Sequence, residues 1–173
     1  MKYQDAATYA VDPILLAEFA GEHVGDNIER LNDLGRQQAV AILSHLSAER
    51  VIEIFDRPEL AEPGGLLLDL PDGLAARVLT GMSADRAAHA LRGLENAERI
   101  ALLAGLDFEV AAALKGLLAY APHTAGALMT TEFVSMPSTA TVAETLQYIR
   151  EVERSRETVY AIYLIDPATS ALV

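Results

Sequence analysis

The sequence has no cysteine and no tryptophan, and nowhere does it string together the roughly 18 apolar residues that a membrane-spanning helix needs. The missing cysteine excludes disulfides, zinc–thiolate sites, iron–sulfur clusters and thiol nucleophiles. The missing apolar run leaves no candidate transmembrane helix. The opening Met1-Lys2-Tyr3-Gln4-Asp5 carries an acid where a signal peptide has a basic start leading into an apolar stretch. Basic residues are also scarce: 13 Lys and Arg stand against 25 Asp and Glu, for a formal net charge of −12. A surface of that sign repels phosphate backbones and attracts cations, so no nucleic-acid partner is expected. The acids are spread as 11 in residues 1–60, 8 in 61–120 and 6 in 121–173, so the charge does not belong to an acidic tail. Aromatics make up only 6% of a chain that is 51% hydrophobic. The core is therefore aliphatic, and its richness in Ala and Leu favours helix.

What the chain does have is an internal period. Apolar residues recur every twelve positions at Leu34 and Leu46, and again at Leu70, Met82, Leu94, Leu106 and Leu118. The series fails once, at Pro58. Nine positions after a marker comes a second apolar residue: Leu43, Phe55, Leu79, Leu91 and Leu103. Polar residues just after the markers, Ser47, Ser83, Asp107 and Asn96, are candidate helix caps. Glu98 and Glu109 fall in first turns, where the helix dipole favours acids. Gly81, Gly93 and Gly105 stand just before the next marker, where a left-handed residue would close the helix. Each unit thus reads as one short helix and a tight turn. Helices are predicted near 13–20, 36–46, 48–56, 71–81, 84–93, 96–104 and 107–119. Such helices are too short to stand alone, so they stack into an α-superhelix. The Pro- and Gly-rich residues 57–65 predict a corner between two helical halves.

After Tyr120 the character changes. Residues 133–136 suggest a short strand. Thr141 and Glu144 form a capping box ahead of a helix whose Val142, Leu146 and Ile149 share one face. Residues 158–166, apolar almost throughout, predict a strand covered on both faces. A turn at 167–170 leads into another strand at 171–173. Strand, helix and strand supply too little to cover such a strand, so the polypeptide is expected to continue beyond these residues or to have its sheet completed by another protomer.

The string Tyr120-Ala121-Pro122-His123-Thr124-Ala125-Gly126-Ala127-Leu128-Met129-Thr130-Thr131-Glu132-Phe133-Val134 resembles the junction of the MgtE family of magnesium transporters, where a Thr-Ala-Gly segment leads through Met-Thr-Thr-Glu into a first CBS strand. The residues around 141–150 and 160–166 resemble the start of that CBS domain, and the helical repeats resemble the family's N-terminal superhelical domain. The fold expected is mainly α, a superhelix of short helices followed by a partial α/β CBS-type segment. Its domains would be an N-terminal helical extension (1–25), the superhelical domain (26–121), and the junction with an incomplete first CBS domain (122–173).

The resemblance implies a regulatory role without catalysis. In the family this region lies on the cytoplasmic face of the membrane and senses magnesium. Ions held by acidic residues bridge the superhelical and CBS domains, and their loss releases the pore. The implied partners are the rest of the same chain, its CBS and membrane domains, and a second copy in a homodimer formed largely through CBS elements; the membrane is reached only through a C-terminal part absent from this sequence. Magnesium is the implied regulatory ion. Where the family often has Asp-Pro-Asp-Asp followed by a further Asp, this sequence has Ser83-Ala84-Asp85-Arg86 and then His89. Asp85 and His89, one turn apart, are the candidate metal ligands, with Glu53 as a third. Arg86 replaces an acid, and Pro122 and His123 stand where the family commonly has Glu-Asp. Imidazole is a poor partner for so hard an ion.

Other chemistries find no support. His23, His45, His89 and His123 show no metal-ligand spacing, no Gly-x-Ser-x-Gly turn is present, and Gly64-Gly65 is not followed by Gly-Lys-Ser/Thr. The alternative function is a soluble CBS-containing interaction or scaffold protein without transport activity. The repeat alone also fits scaffolds resembling flagellar motor proteins.

Overall fold

A computed structural model of the chain describes residues 11–130, 133–152, 161–169 and 171–173. They form two compact units that divide between Met129 and Thr130. The first holds ten helices: α1 (Pro13–Gly21), α2 (Val24–Asp33), α3 (Arg36–His45), α4 (Ala48–Phe55), α5 (Pro63–Asp69), α6 (Asp72–Gly81), α7 (Ala84–Arg92), α8 (Asn96–Ala104), α9 (Phe108–Leu118) and α10 (Ala125–Leu128). All seven helices expected from the sequence are present, and α2, α5 and α10 are additions.

The twelve-residue period acquires a physical meaning here. Its markers, apart from Leu118 at the end of α9, are not helix-face residues. Leu34, Leu46, Leu70 and Met82 are the C-cap residues of α2, α3, α5 and α6, and Leu94 and Leu106 follow the C-caps of α7 and α8. Each donates its backbone N–H back into the helix it ends, as Leu46 does to Leu43 (3.3 Å) and Met82 to Val78 (3.0 Å). The second apolar set, Leu43, Phe55, Leu79, Leu91 and Leu103, forms the spine of the core. Helices then pack in alternation: α2 on α4, α3 on α5, α4 on α6, α5 on α7, and α7 on α9. That is the winding of a superhelix, in which these helices meet the one two positions earlier in the chain.

Two expectations are corrected. Gly81, Gly93 and Gly105 do not take left-handed backbone, since no described glycine has positive φ. Gly93 and Gly105 are ordinary right-handed C-caps. Gly81 is small because the side chain of Ile52 occupies the space a Cβ would need. The break expected over 57–65 is observed only as far as Glu62, and α3 on α5 and α4 on α6 pack across it, so it does not divide the unit into halves. Pro63 opens α5, where its missing N–H costs nothing. Leu60 is buried and donates to the carbonyl of Arg57 at 3.5 Å, as the markers do, two residues after the failed position Pro58. Helix α5 has only seven residues, so the period is regained at Leu70. Asn32 fastens this longer turn, donating to the Glu59 carbonyl and accepting from the Ala61 N–H, both at 2.9 Å.

Caps follow the sequence in part. Ser47 accepts from the N–H of Arg50 at 3.2 Å. Glu95, not Asn96, is the N-cap of α8, and its N–H donates to Glu98 at 3.0 Å. Asp107 is the N-cap of α9 by position but makes no capping bond.

The N-terminal helices join the same core through Phe19, which is fully buried. Beside it lies a polar network. Asn27 of α2, also fully buried, donates to Glu22 (3.3 Å) and accepts from Arg50 of α4 (3.2 Å). Arg50 also donates to the Glu22 carbonyl. Arg30 binds Glu22 (2.7 Å) and Glu18 (3.2 Å), with its guanidinium over the Phe19 ring. Hydrogen bonding to Glu22 holds the Arg30 pKa above its ordinary value.

The second unit is a strand–helix–strand element: β1 (Val134–Pro137), α11 (Val142–Val152) and β2 (Ile162–Ile165). The strands pair in parallel, Val134 opposite Ile162 and Pro137 opposite Ile165. The strand predicted over 158–166 is observed from Ile162 to Ile165, and residues 158–160 lie outside the described residues. Leu172 makes a single antiparallel bridge to Ile165, in place of a full strand at 171–173. The expected double burial is not found: Tyr163 and Leu164 are each 43% exposed. Two strands and one helix supply no second covering layer.

The capping box of α11 is formed as predicted, with the Thr141 N–H and hydroxyl donating to Glu144 at 2.8 and 2.7 Å. These bonds, the backbone one foremost, hold the Glu144 carboxyl below its ordinary pKa. A depressed carboxylate contributes stability that is complete above the unfolded-state pKa and is lost as pH falls through the folded value. An NMR titration is expected to place the Glu144 midpoint below the ordinary glutamate value, and the midpoint should rise in Thr141→Ala.

Candidate metal-binding region

The start of α7 is where the sequence places its metal ligands. Its N-cap, Ser83, turns away from its own helix. The Ser83 N–H and hydroxyl both donate to Asp56 Oδ1, at 2.8 and 2.5 Å. Asp56 is the C-cap of α4, an end where the helix dipole disfavours an acid. The tie across two layers explains it, and that misplaced acid was the signal by which the sequence could have revealed it.

Asp85 lies in the first turn of α7, and its Oδ1 is buried without a hydrogen-bond partner. A buried carboxylate oxygen with no donor bears a desolvation cost that a cation would relieve. His89 is exposed one turn further along the same helix. Arg86, between them in sequence, donates to the Arg57 carbonyl at 2.9 Å, and its Nε is buried without a partner. Glu53 is on α4, exposed, and paired with Arg50 at 3.0 Å. Among the described residues no group of three or more His, Asp or Glu side chains is placed to hold a metal ion. Asp85, His89 and Glu53 are therefore not gathered into one ligand set.

The donor chemistry agrees. Magnesium takes hard oxygen ligands in an octahedron, keeps several waters, and is often held by one or two carboxylates. Asp85 supplies one such oxygen donor. His89 is a poor donor for it, and Arg86 adds positive charge next to it. These residues fit a water-rich contact through Asp85, not a closed cage.

The junction string, as far as Leu128, is folded onto the helices before it. Thr124 is the N-cap of α10, and its hydroxyl donates to the Ala121 carbonyl at 2.7 Å. Gly126 lies against the ring of Tyr120, where a Cβ would collide. His123 takes a left-handed φ of 63°, which costs a residue with a side chain about 1 kcal/mol. Arg92 of α7 donates to the carbonyls of Leu117 (2.7 Å) and Ala127 (2.9 Å), capping α9 and holding α10.

Residues 22–123, from the end of α1 to the start of the junction, match the family described as the MgtE intracellular N domain. The chain belongs to the MgtE family. A magnesium transporter MgtE from Thermus thermophilus is 31% identical over 154 residues, which is 86% of this chain and 30% of that protein. One from Enterococcus faecalis is 41% identical over 58 residues, 34% of this chain and 13% of that protein. Two solved structures superpose with a TM-score of 0.75 at 27% identity over 89% of this chain. They are the cytosolic domain of the Mg2+ channel MgtE in complex with ATP, and the soluble part of a magnesium transporter. The chain covers 63% and 62% of those two chains and less than a third of either curated relative. Residues 22–123 are thus a domain of the MgtE intracellular N type, and these relatives are named as transporters or channel domains, none as an enzyme. No helix among the described residues is long and apolar enough to cross a membrane.

Proposed function

We propose that this chain is the magnesium-sensing regulatory region of an MgtE-type transporter, without catalytic activity. In this reading the superhelical domain (26–121) and the CBS segment that begins within 122–173 associate when magnesium is abundant and separate when it is scarce, which opens the pore. Asp85 supplies one hard oxygen ligand and carboxylates elsewhere in the same polypeptide supply others; His89 and Glu53 lie at the edge of the contact. Two copies assemble in the whole transporter, on the cytoplasmic face of the membrane. The observation that carries the reading is the buried, partnerless Asp85 oxygen within the family-matched domain.

The electrostatics are simple. A chain of net charge −12 brings like charges together whenever its acidic faces meet. That repulsion favours separation, and a divalent ion between carboxylates removes it. These 173 residues hold no cysteine, so Ala112→Cys on α9 and Ala143→Cys on α11, both exposed, place one label in each unit once any cysteine elsewhere in the transporter has been replaced. Millimolar magnesium is expected to narrow and shorten the distance distribution between the labels in the full-length transporter, and Asp85→Ala should shift the midpoint upward. A distribution that ignores magnesium would favour the scaffold alternative.

A further inference from the structure

One feature runs against the acidic character of the molecule. A cleft of about 440 Å³ within the first unit, among α7, α8 and α9, is lined by Arg92, Arg99 and Lys115, with no Asp or Glu in its wall. Lys115 is one of only two lysines in the chain. Elsewhere among the described residues Arg30, Arg36, Arg50 and Arg77 sit in ion pairs. Among the described residues none of the three cleft bases pairs with a carboxylate.

The three are not equivalent. Arg92 is committed to the carbonyls of Leu117 and Ala127, so it lends the cleft a fixed charge but few free donors. Arg99 makes only a 3.2 Å bond to Asn96 on its own helix. Lys115 is exposed, with no partner among the described residues. The C-terminal dipole of α9 accounts for a cation at Lys115 and for Arg92, but Arg99 comes from a different helix. Apolar surface adjoins these charges, since Ile100 is 57% exposed and Tyr120 45%. A planar guanidinium beside a lysine point charge suits a phosphate, and the apolar wall suits an organic body attached to it. The volume lies within the usual range for small-ligand clefts.

We propose that this cleft binds a small organic phosphate, with its phosphate on Arg99 and Lys115 and its apolar part on Ile100 and Tyr120. The probe is phenyl phosphate, titrated into the 173-residue chain by calorimetry and followed by amide NMR. One saturable site is expected, weakening with added salt, with shifts confined to α8, α9 and residues 118–122. Arg99→Gln and Lys115→Gln should each weaken binding roughly tenfold, and Lys115→Arg should retain it. Both side chains line an open cleft, and helical circular dichroism checks that each variant is folded. Inorganic phosphate and phenol should each bind more weakly than the compound that joins them. Three results would overturn the proposal: no saturation by about 10 mM, unchanged affinity in the double variant, or phenol binding as tightly as phenyl phosphate.

Discussion

Gly64→Ala should destabilise the superhelical unit by about 2–3 kcal/mol. Gly64 lies against α7: a Cβ there would run into the Ala90 carbonyl oxygen and crowd the Leu94 side chain. A flexible side chain can step aside, but a helix carbonyl can move only with its helix. The cost is therefore that of separating two packed layers. For a unit of this size it should appear as a fall in melting temperature of roughly 6–9 °C. Gly116 provides the contrast. It lies inside α9 with nothing near the added methyl, so Gly116→Ala should gain about 0.5–1 kcal/mol. The same substitution with opposite signs would locate the effect in the α5–α7 contact.

Arg50→Met should cost about 2–3 kcal/mol. Methionine keeps much of the aliphatic stem but removes the donors to Asn27 Oδ1, the Glu22 carbonyl and Glu53. Asn27 is fully buried, so its oxygen has no water to turn to. Arg77 is the control. Its pair with Glu49 is 3.4 Å long, and the two side chains are 66% and 75% exposed. Arg77→Met is expected to change stability by no more than about 0.5 kcal/mol. Chemical denaturation of both variants against the parent chain measures the difference directly.

These two sites also show where a linear reading of the chain stops. Repeated spacing revealed most of the superhelix, because the residues that end helices and the residues that fill the core each recur at a fixed interval. Helix α2 escaped because Asn27 interrupts its apolar stripe, and the partners that make an asparagine tolerable there, Glu22 and Arg50, are set by the packing of α1 and α4. Helix α5 escaped because Pro63, Gly64 and Gly65 read as breakers. The proline is a helix starter, and Gly64 answers to a neighbour in α7. Gly81 is the same lesson: its smallness serves Ile52, not backbone conformation.

The candidate site was legible as residues but not as an arrangement. Asp85 and His89 share a helix, so their proximity follows from the sequence. Glu53 could not be judged that way, because its partner is Arg50. The tie from Asp56 to Ser83 and the reach of Arg92 to Leu117 and Ala127 join elements 25 to 35 residues apart, and no local pattern encodes such distances. Arg86 was recognised as a departure from the acidic pattern, and its bond to the Arg57 carbonyl shows what it does instead.

The central claim is that magnesium acts on this region through Asp85. Calorimetric titration of the 173-residue chain with magnesium chloride, in parallel with Asp85→Ala, tests it most directly. The account predicts saturable binding with a dissociation constant on the order of 1 mM, as expected for a water-rich site with few carboxylates, and a clear weakening in Asp85→Ala with the fold intact. Binding of equal strength in the two proteins would place the ion elsewhere, and no binding in the millimolar range would contradict an ion sensor built on these residues.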